Sequence, residues 1–227
     1  MINDSIVTAH IPAREGSKRL KEKNLQILGG KPLISYAVNA GLSSQYIDQL
    51  YVNTESEKIV EAVRYSGVKI YRRSSLLSQD HVTQDTFNYD FLKNIETDIL
   101  ILLNPVCPLV EAEDIDTLLE VFIKNKRDCL VTTSKYEMHA LMGTTPVNFN
   151  SNEILKPTQE MPPIRLINWA IGIWNAKKFI EFFETNGYAA LFGDIEYYDL
   201  PKSRSVKINT QEDLDLAECL LQLKKKE

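Results

Sequence analysis

IPAREGSKRLKEKNLQILGGKPL, residues Ile11 to Leu33, follows a mostly apolar run ending at Ala9 and His10 and precedes the apolar period of Ile34, Val38 and Leu42. The run before it reads as a strand and the period after it as a helix. A strand running into a glycine- and lysine-rich loop is where an α/β sheet binds phosphate. Gly16 lets the backbone approach a ligand, Ser17 offers a hydroxyl and an N–H, and Arg14, Lys18, Arg19, Lys21 and Lys23 supply positive charge. The chemistry implied is the handling of a polyphosphate. Composition alone leaves a second reading open, in which Gly16 and Gly29-Gly30 make turns and the basic residues face solvent. The spacing is neither GxxxxGK[ST] nor GxGxxG.

Outward from this loop the chain alternates short apolar runs with helical stripes. Leu50 to Asn53 and Val68 to Tyr71 read as strands, with Ile59, Val60 and Val63 marking a helix between them. Thr83 to Asn94 reads as a helix, Asp98 to Leu103 as a buried strand, Glu111 to Lys126 as a helix and Cys129 to Thr133 as a strand. This order predicts an α/β fold, a doubly wound and mostly parallel sheet in one domain over residues 1–227. From Tyr136 to Pro163 the periodicity fails, and residues 136–166 are expected to form an inserted hairpin or arm. Lys177, Phe179, Ile180 and Phe182 begin another helix. Glu196 to Asp199 and Val206 to Ile208 suggest strands, and Thr210 with Asp213 has the spacing that starts a final helix.

A chain of 227 residues and net charge -5 buries one substantial core and offers no surface for a nucleic-acid polymer, although a basic loop still holds one nucleotide. No apolar run reaches 18 residues, and the opening lacks a basic segment followed by a long apolar one. Neither a membrane span nor a secretory leader is expected. Cys107, Cys129 and Cys219 lack metal-site spacing and read as reduced, cytoplasmic thiols. Cys107 has no base specified nearby and reads as a core thiol, and His139 has no catalytic partner by spacing. Asp114 and Asp116, two residues apart on a helix, are not a metal pair.

IPAREGSKRLKEKN resembles the opening motif of bacterial CMP-sugar synthetases, with every fixed position present at Ile11 to Arg14, Gly16 to Lys18, Leu20, Lys23 and Asn24. That family activates sialic acid and related 3-deoxy-2-keto sugar acids with CTP. The resemblance runs from Ile11 to Glu218 and implies a Rossmann-like nucleotidyltransferase that uses Mg2+, with the arm reaching a partner subunit in a homodimer. Arg14, Gly16, Ser17, Lys18 and Lys23 are then the phosphate set, and Asn24 the base-recognition candidate. Arg73, or in a competing register Arg72, matches an arginine followed in the family by Leu and Asp, here Leu77 and Asp80. Thr83 matches a small hydroxyl position at the nucleotide.

On the substrate side, Asn104 stands where the family has glutamine, in a segment that keeps its prolines but changes its polar lining. Asn168 matches the family, whereas Trp169 replaces a glycine of the sugar-side wall. Arg165 suits a sugar carboxylate by its bidentate geometry and equally suits a surface or a subunit interface. The family's two magnesium aspartates are replaced by Lys207 and Asn209. An amine is no ligand for magnesium, so metal donors are sought in the Asn209 amide oxygen and Asp98, with Lys207 neutralising charge directly. Three readings stay open: a divergent cytidylyltransferase with Arg14, Lys23 and Lys207 in catalysis, an enzyme of the same fold using another nucleoside triphosphate or a sugar phosphate, and a non-catalytic nucleotide or sugar binder.

Overall fold

β1 (Val7–Pro12) is buried along nearly its whole length, as its apolar run requires of a strand covered on both faces. After it come α1 (Ile34–Ser43), β2 (Gln49–Thr54), α2 (Glu57–Val63), β3 (Lys69–Arg72), α3 (Gln84–Asn94) and β4 (Ile99–Leu103). The chain continues through α4 (Ala112–Lys124), β5 (Cys129–Tyr136), β6 (Ile164–Asn175), α5 (Ala176–Asn186), β7 (Ile195–Asp199) and α6 (Gln211–Lys224). This computed structural model describes Ile2 and residues 4–224. Met1, Asn3 and residues 225–227, the outermost positions of the unit expected over 1–227, lie outside the described residues.

The strands form one sheet in the order β7-β5-β6-β4-β1-β2-β3. All neighbours are parallel except β6, which runs antiparallel to both β4 and β5. Successive side chains of a strand point to opposite faces, and β4 shows the consequence. Ile99, Ile101 and Leu103 join Val7, Ala9 and Ile11 in a core covered by Ile34 and Val38 of α1 and Ile115, Leu118 and Phe122 of α4. Leu100 and Leu102 face the other way, against Phe91 of α3, Phe179 of α5 and the fully buried Trp174. Gly172 is required here, since a Cβ would lie 2.3 Å from the Trp174 ring.

From β1 the chain winds outward to β2 and β3, then crosses back through α3 to place β4 on the other side of β1. Such a reversal opens a crevice at the carboxyl ends of the two central strands. His10 lies beneath it, stacked on Phe91 at 4.7 Å with its Nδ1 3.2 Å from Asn53 Nδ2. Burial pulls its pKa down to about 3, so it stays a neutral part of the core.

The first helix begins at Ile34, where the apolar period starts, and Lys31–Pro32 before it pairs with Ile27–Leu28 in a small antiparallel ribbon. One local expectation changes. Val206 to Ile208 is not a strand: its apolar residues pack with Leu28, Leu33, Leu214 and Ala217 under α6, and Ile208 N donates to Val106 O at 2.8 Å. Between β5 and β6, residues 137–163 hold a ribbon of Leu141–Met142 with Thr145–Pro146 and a 3-10 turn at Thr158–Glu160. Among the described residues no helix is long and apolar enough to cross a membrane.

Candidate functional site

The crevice has two lobes of about 270 Å³ each, sharing Pro12, Arg14 and Asn104. Gly16, Ser17, Lys18, Arg19, Lys23 and Asn24 line the first. Arg73, Asp80, Gln84, Phe87 and Leu102 line the second. A larger cavity of about 620 Å³ lies between α1 and α6, where Arg204 and Lys224 both pair with Glu111. Arg14, Lys18, Arg19 and Lys23 of the phosphate loop line the smaller crevice and Lys21 does not; that crevice is the candidate site.

The loop is closed at its base by Asn24, whose Nδ2 donates to Arg14 O at 3.0 Å. That bond fixes the amide orientation and leaves Asn24 Oδ1 buried, with no hydrogen-bond partner. Asp80 fills the space between two of the loop cations, 2.9 Å from Arg14 Nη1 and 2.6 Å from Lys18 Nζ. The Lys18 ammonium, with Arg14 beside it, holds the Asp80 carboxyl below its ordinary pKa. Arg14 Nη1 also donates to Ser78 O at 3.0 Å, so the segment after β3 lies against the phosphate loop.

Behind this contact is Glu55, at the carboxyl end of β2. One of its oxygens accepts from Glu15 N at 3.0 Å. The other accepts from Ser78 Oγ at 2.5 Å and from Arg73 Nε at 3.2 Å and Nη2 at 3.1 Å. Burial pushes the Glu55 carboxyl up, but the Ser78 hydroxyl, the Glu15 and Glu55 N–H groups and Arg73 together hold it below its ordinary value. Glu55 thus ties the phosphate loop, the segment after β3 and Arg73 together. Sequence reasoning missed it; the available signal was its position just past a strand's carboxyl end. Arg73, its side chain 3% exposed, lies over the Phe87 ring, while Arg72 pairs outside with Glu57. The crevice arginine is Arg73.

On the far wall of the first lobe, Lys23 Nζ donates to Ile208 O at 3.0 Å and to Asn209 Oδ1 at 3.2 Å. Burial, with Arg19 and Lys207 adding repulsion, draws its pKa down, while Asp213 opposes. Cys107 is buried beside both lysines, and its thiol is pushed up to about 12, which leaves it an unreactive core group. Asp213 accepts from Asn209 N at 2.8 Å and Thr210 N at 2.9 Å, and Thr210 Oγ1 accepts from Asp213 N, the reciprocal cap expected at the start of α6.

The remaining sequence candidates fall outside these lobes or are held by backbone. Asn104 lines the crevice, but its Nδ2 donates to Trp169 O at 3.0 Å and its Oδ1 accepts from Val106 N. Asn168 is buried in a bulge of β6 between Ile167 and Gly172, accepting from Thr132 Oγ1 at 2.6 Å and donating to Ser134 Oγ at 3.0 Å. Trp169 takes a φ of 57° in that bulge and stacks on Trp174, centroids 6.5 Å apart. Neither residue lines the crevice, so the expected substrate contacts become the struts of the strand beside it. Arg165 is exposed and pairs with Asp199 at 3.0 Å. Thr83 caps α3 by accepting from Thr86 N. Asp98 precedes β4, where it accepts from Ile6 N at 2.8 Å. It sits at the amino end of the sheet, opposite the crevice, and supplies no metal ligand there.

The family description Cytidylyltransferase matches residues 8–224 of the sequence. The chain belongs to the cytidylyltransferase family. Among curated cytidylyltransferases it is 29% identical over 215 residues to the N-acylneuraminate cytidylyltransferase of Streptococcus agalactiae serotype V, covering 89% of this chain but only 50% of that protein. The chain thus spans about half the length of its streptococcal relatives. It is 28% identical to the CMP-N,N'-diacetyllegionaminic acid synthase of Legionella pneumophila, with 96% and 97% of the two chains covered. In fold it is similar to a CMP:2-keto-3-deoxy-manno-octonic acid synthetase solved with CTP, at a TM-score of 0.72 and 17% identity over 97% of this chain and all of that one. These likenesses place the chain with the CMP-sugar synthetases within the cytidylyltransferases.

Magnesium wants a shell of oxygen donors, usually including carboxylates. Lys207 and Asn209 do not provide one, because an ammonium is no ligand and Asn209 Oδ1 already accepts from Lys23, while the neighbouring Asp213 is a single carboxylate whose Oδ2 caps α6. No group of three or more His, Cys, Asp or Glu able to hold a metal occurs among the described residues. The donor set does not fit a protein-held magnesium ion.

Proposed function

We propose that the protein transfers CMP from CTP to the anomeric hydroxyl of a sialic-acid-like 3-deoxy-2-keto sugar acid, releasing pyrophosphate. The observation that carries this reading is the first lobe, where Arg14, Lys18, Arg19 and Lys23 converge at the carboxyl ends of β1 and β4. The names of the streptococcal and legionella relatives support the acceptor class. The unpartnered Asn24 Oδ1 supports a nucleobase that offers an amino group, as cytosine does.

In the transfer, the acceptor oxygen attacks the α-phosphorus and the bond from that phosphorus to the β-bridging oxygen breaks. Its electron pair leaves with pyrophosphate, and the hydroxyl proton passes to water. No side chain has to become covalently bound. Arg14 and Lys18 exchange Asp80 for phosphate oxygens, Ser17 and the loop N–H groups cradle them, and Lys23 meets the charge that grows on the leaving group. Exposed Met138, Leu141, Met142, Val147, Ile154 and Leu155 support a homodimer built through the arm. A reaction fed by a nucleoside triphosphate, in a chain whose three cysteines are all free thiols, suits the cytoplasm.

Pyrophosphate release with CTP and each of sialic, legionaminic, pseudaminic and 3-deoxy-octulosonic acids tests the reading, with other nucleoside triphosphates as controls. Turnover is expected with CTP and at least one acid. No release above a variant carrying Arg14→Ala and Lys23→Ala would overturn the assignment. Turnover with another nucleotide would move the enzyme to a different donor.

Asp80→Asn removes the carboxylate that competes with a triphosphate for Arg14 and Lys18. Exposed ion pairs contribute little, so CTP is expected to bind only about two- to fivefold more tightly by calorimetry. Weaker binding in this variant would mean that Asp80 touches the ligand instead of standing in for it.

A further inference from the structure

The misfit between the donor set and magnesium leaves a question about the charge that a metal would carry in the first lobe. Lys207 lies between Val206, which packs into the cluster under α6, and Ile208, whose carbonyl oxygen is 3.0 Å from Lys23 Nζ. It is close enough to act electrostatically on both Lys23 and Cys107. The backbone carrying it is fixed by the bond from Ile208 N to Val106 O and by the Asp213 cap on Asn209 N. Lys207 makes no hydrogen bond or ion pair among the described residues, and Lys23 donates only to neutral oxygens.

Two ammonium groups held near each other repel until an anion arrives, and the nearby Asp213 carboxylate, whose Oδ2 caps α6, offsets that repulsion only in part. A solvated surface lysine carries no such cost, because it swings into water. Lys23 cannot do so while Ile208 O and Asn209 Oδ1 hold it at the cavity wall. Arg19 of the same lobe likewise has no acidic partner among the described residues, which deepens the positive potential.

Building on the CTP reading, we propose that Lys23 and Lys207 form a built-in cation pair that takes the triphosphate without a divalent ion held by the protein. Lys23 lines the first lobe with Arg14 and Lys18, and Lys207, next in the chain to the residue whose carbonyl holds Lys23, adds a second positive charge behind it. Asn209 serves as the rest that keeps Lys23 extended. Its amide oxygen orients an ammonium and is not a metal ligand.

Calorimetric titration of the full chain with CTP, in EDTA and then in magnesium, tests the pair. The wild-type dissociation constants in the two buffers are expected to agree within about threefold. Lys207→Met is expected to weaken binding in EDTA by about tenfold, and Lys207→Arg to retain it. Lys207→Asp combined with Asn209→Asp is expected to make CTP binding depend on magnesium, and to hold Mn2+ in the presence of CTP as seen by electron paramagnetic resonance. Thermal melts of the variants separate a lost site from a lost fold. Wild-type binding seen only in magnesium overturns the cation pair while leaving the cytidylyltransferase reading standing. An unchanged affinity for folded Lys207→Met in EDTA does the same. Absence of CTP binding in both buffers overturns that reading and the pair together.

Discussion

Glu55→Ala is expected to lower the free energy of unfolding by about 3–5 kcal/mol in urea denaturation, with the slope unchanged. Such a loss is large for one carboxylate, and its cause is the partner left behind. The Arg73 side chain is 3% exposed and its guanidinium donates twice to one Glu55 oxygen, at 3.2 and 3.1 Å. Burial already draws the Arg73 pKa down, with Glu55 the main opposing influence. Removing the carboxylate leaves an almost fully buried cation without its counter-charge and frees Ser78 Oγ and Glu15 N at the same time.

The pairing predicts its own control. Glu55→Leu combined with Arg73→Met removes both charges and is expected to recover most of the lost stability, because a buried pair replaced by apolar volume is often neutral. CTP binding is not expected to recover with it, since Arg73 lines the second lobe and Glu55 fastens the phosphate loop through Glu15 N. A loss below about 1 kcal/mol for Glu55→Ala would show the hub to be no stronger than a surface ion pair.

The contrast between Glu55 and the phosphate loop shows where sequence reading stops. Runs such as ILILL at 99–103 are buried on both faces and announce a central parallel strand. The glycine and cations following β1 then announce a phosphate site, and the structure gathers Arg14, Gly16, Lys18, Arg19 and Lys23, though not Lys21, in one lobe. Glu55, in contrast, is one of 31 acidic residues, and only Arg73 and Ser78, 18 and 23 positions away, single it out. The Asn168 bulge depends in the same way on Thr132 and Ser134, more than 30 residues upstream. Val206 to Ile208 misled because apolar alternation records burial of every second residue, and a loop packed under α6 satisfies that without a ladder. Asp98 was decidable from sequence: in a parallel strand entered at 99, a preceding carboxylate sits at the amino end, away from the crevice.

Lys23→Met is expected to reduce kcat/KM for CTP-dependent transfer by about 10²–10³-fold, the loss typical of removing one preorganised donor from a developing oxyanion. Methionine keeps much of the aliphatic stem and removes only the charge, so the fold is expected to persist. In the proposed transfer the ammonium is assigned to the leaving-group side, and its two present partners, Ile208 O and Asn209 Oδ1, are neutral and lie 3.0 and 3.2 Å away. A phosphate oxygen offers a charge-assisted bond in their place, roughly twice as strong as a neutral one. The gain grows as pyrophosphate departs and its charge rises, so kcat is expected to fall more than KM rises. Loss confined to KM would make Lys23 a binding residue only. A folded Lys23→Met enzyme within about threefold of wild type in kcat/KM would remove it from the transfer step, because that ratio amounts to less than 1 kcal/mol of transition-state stabilisation.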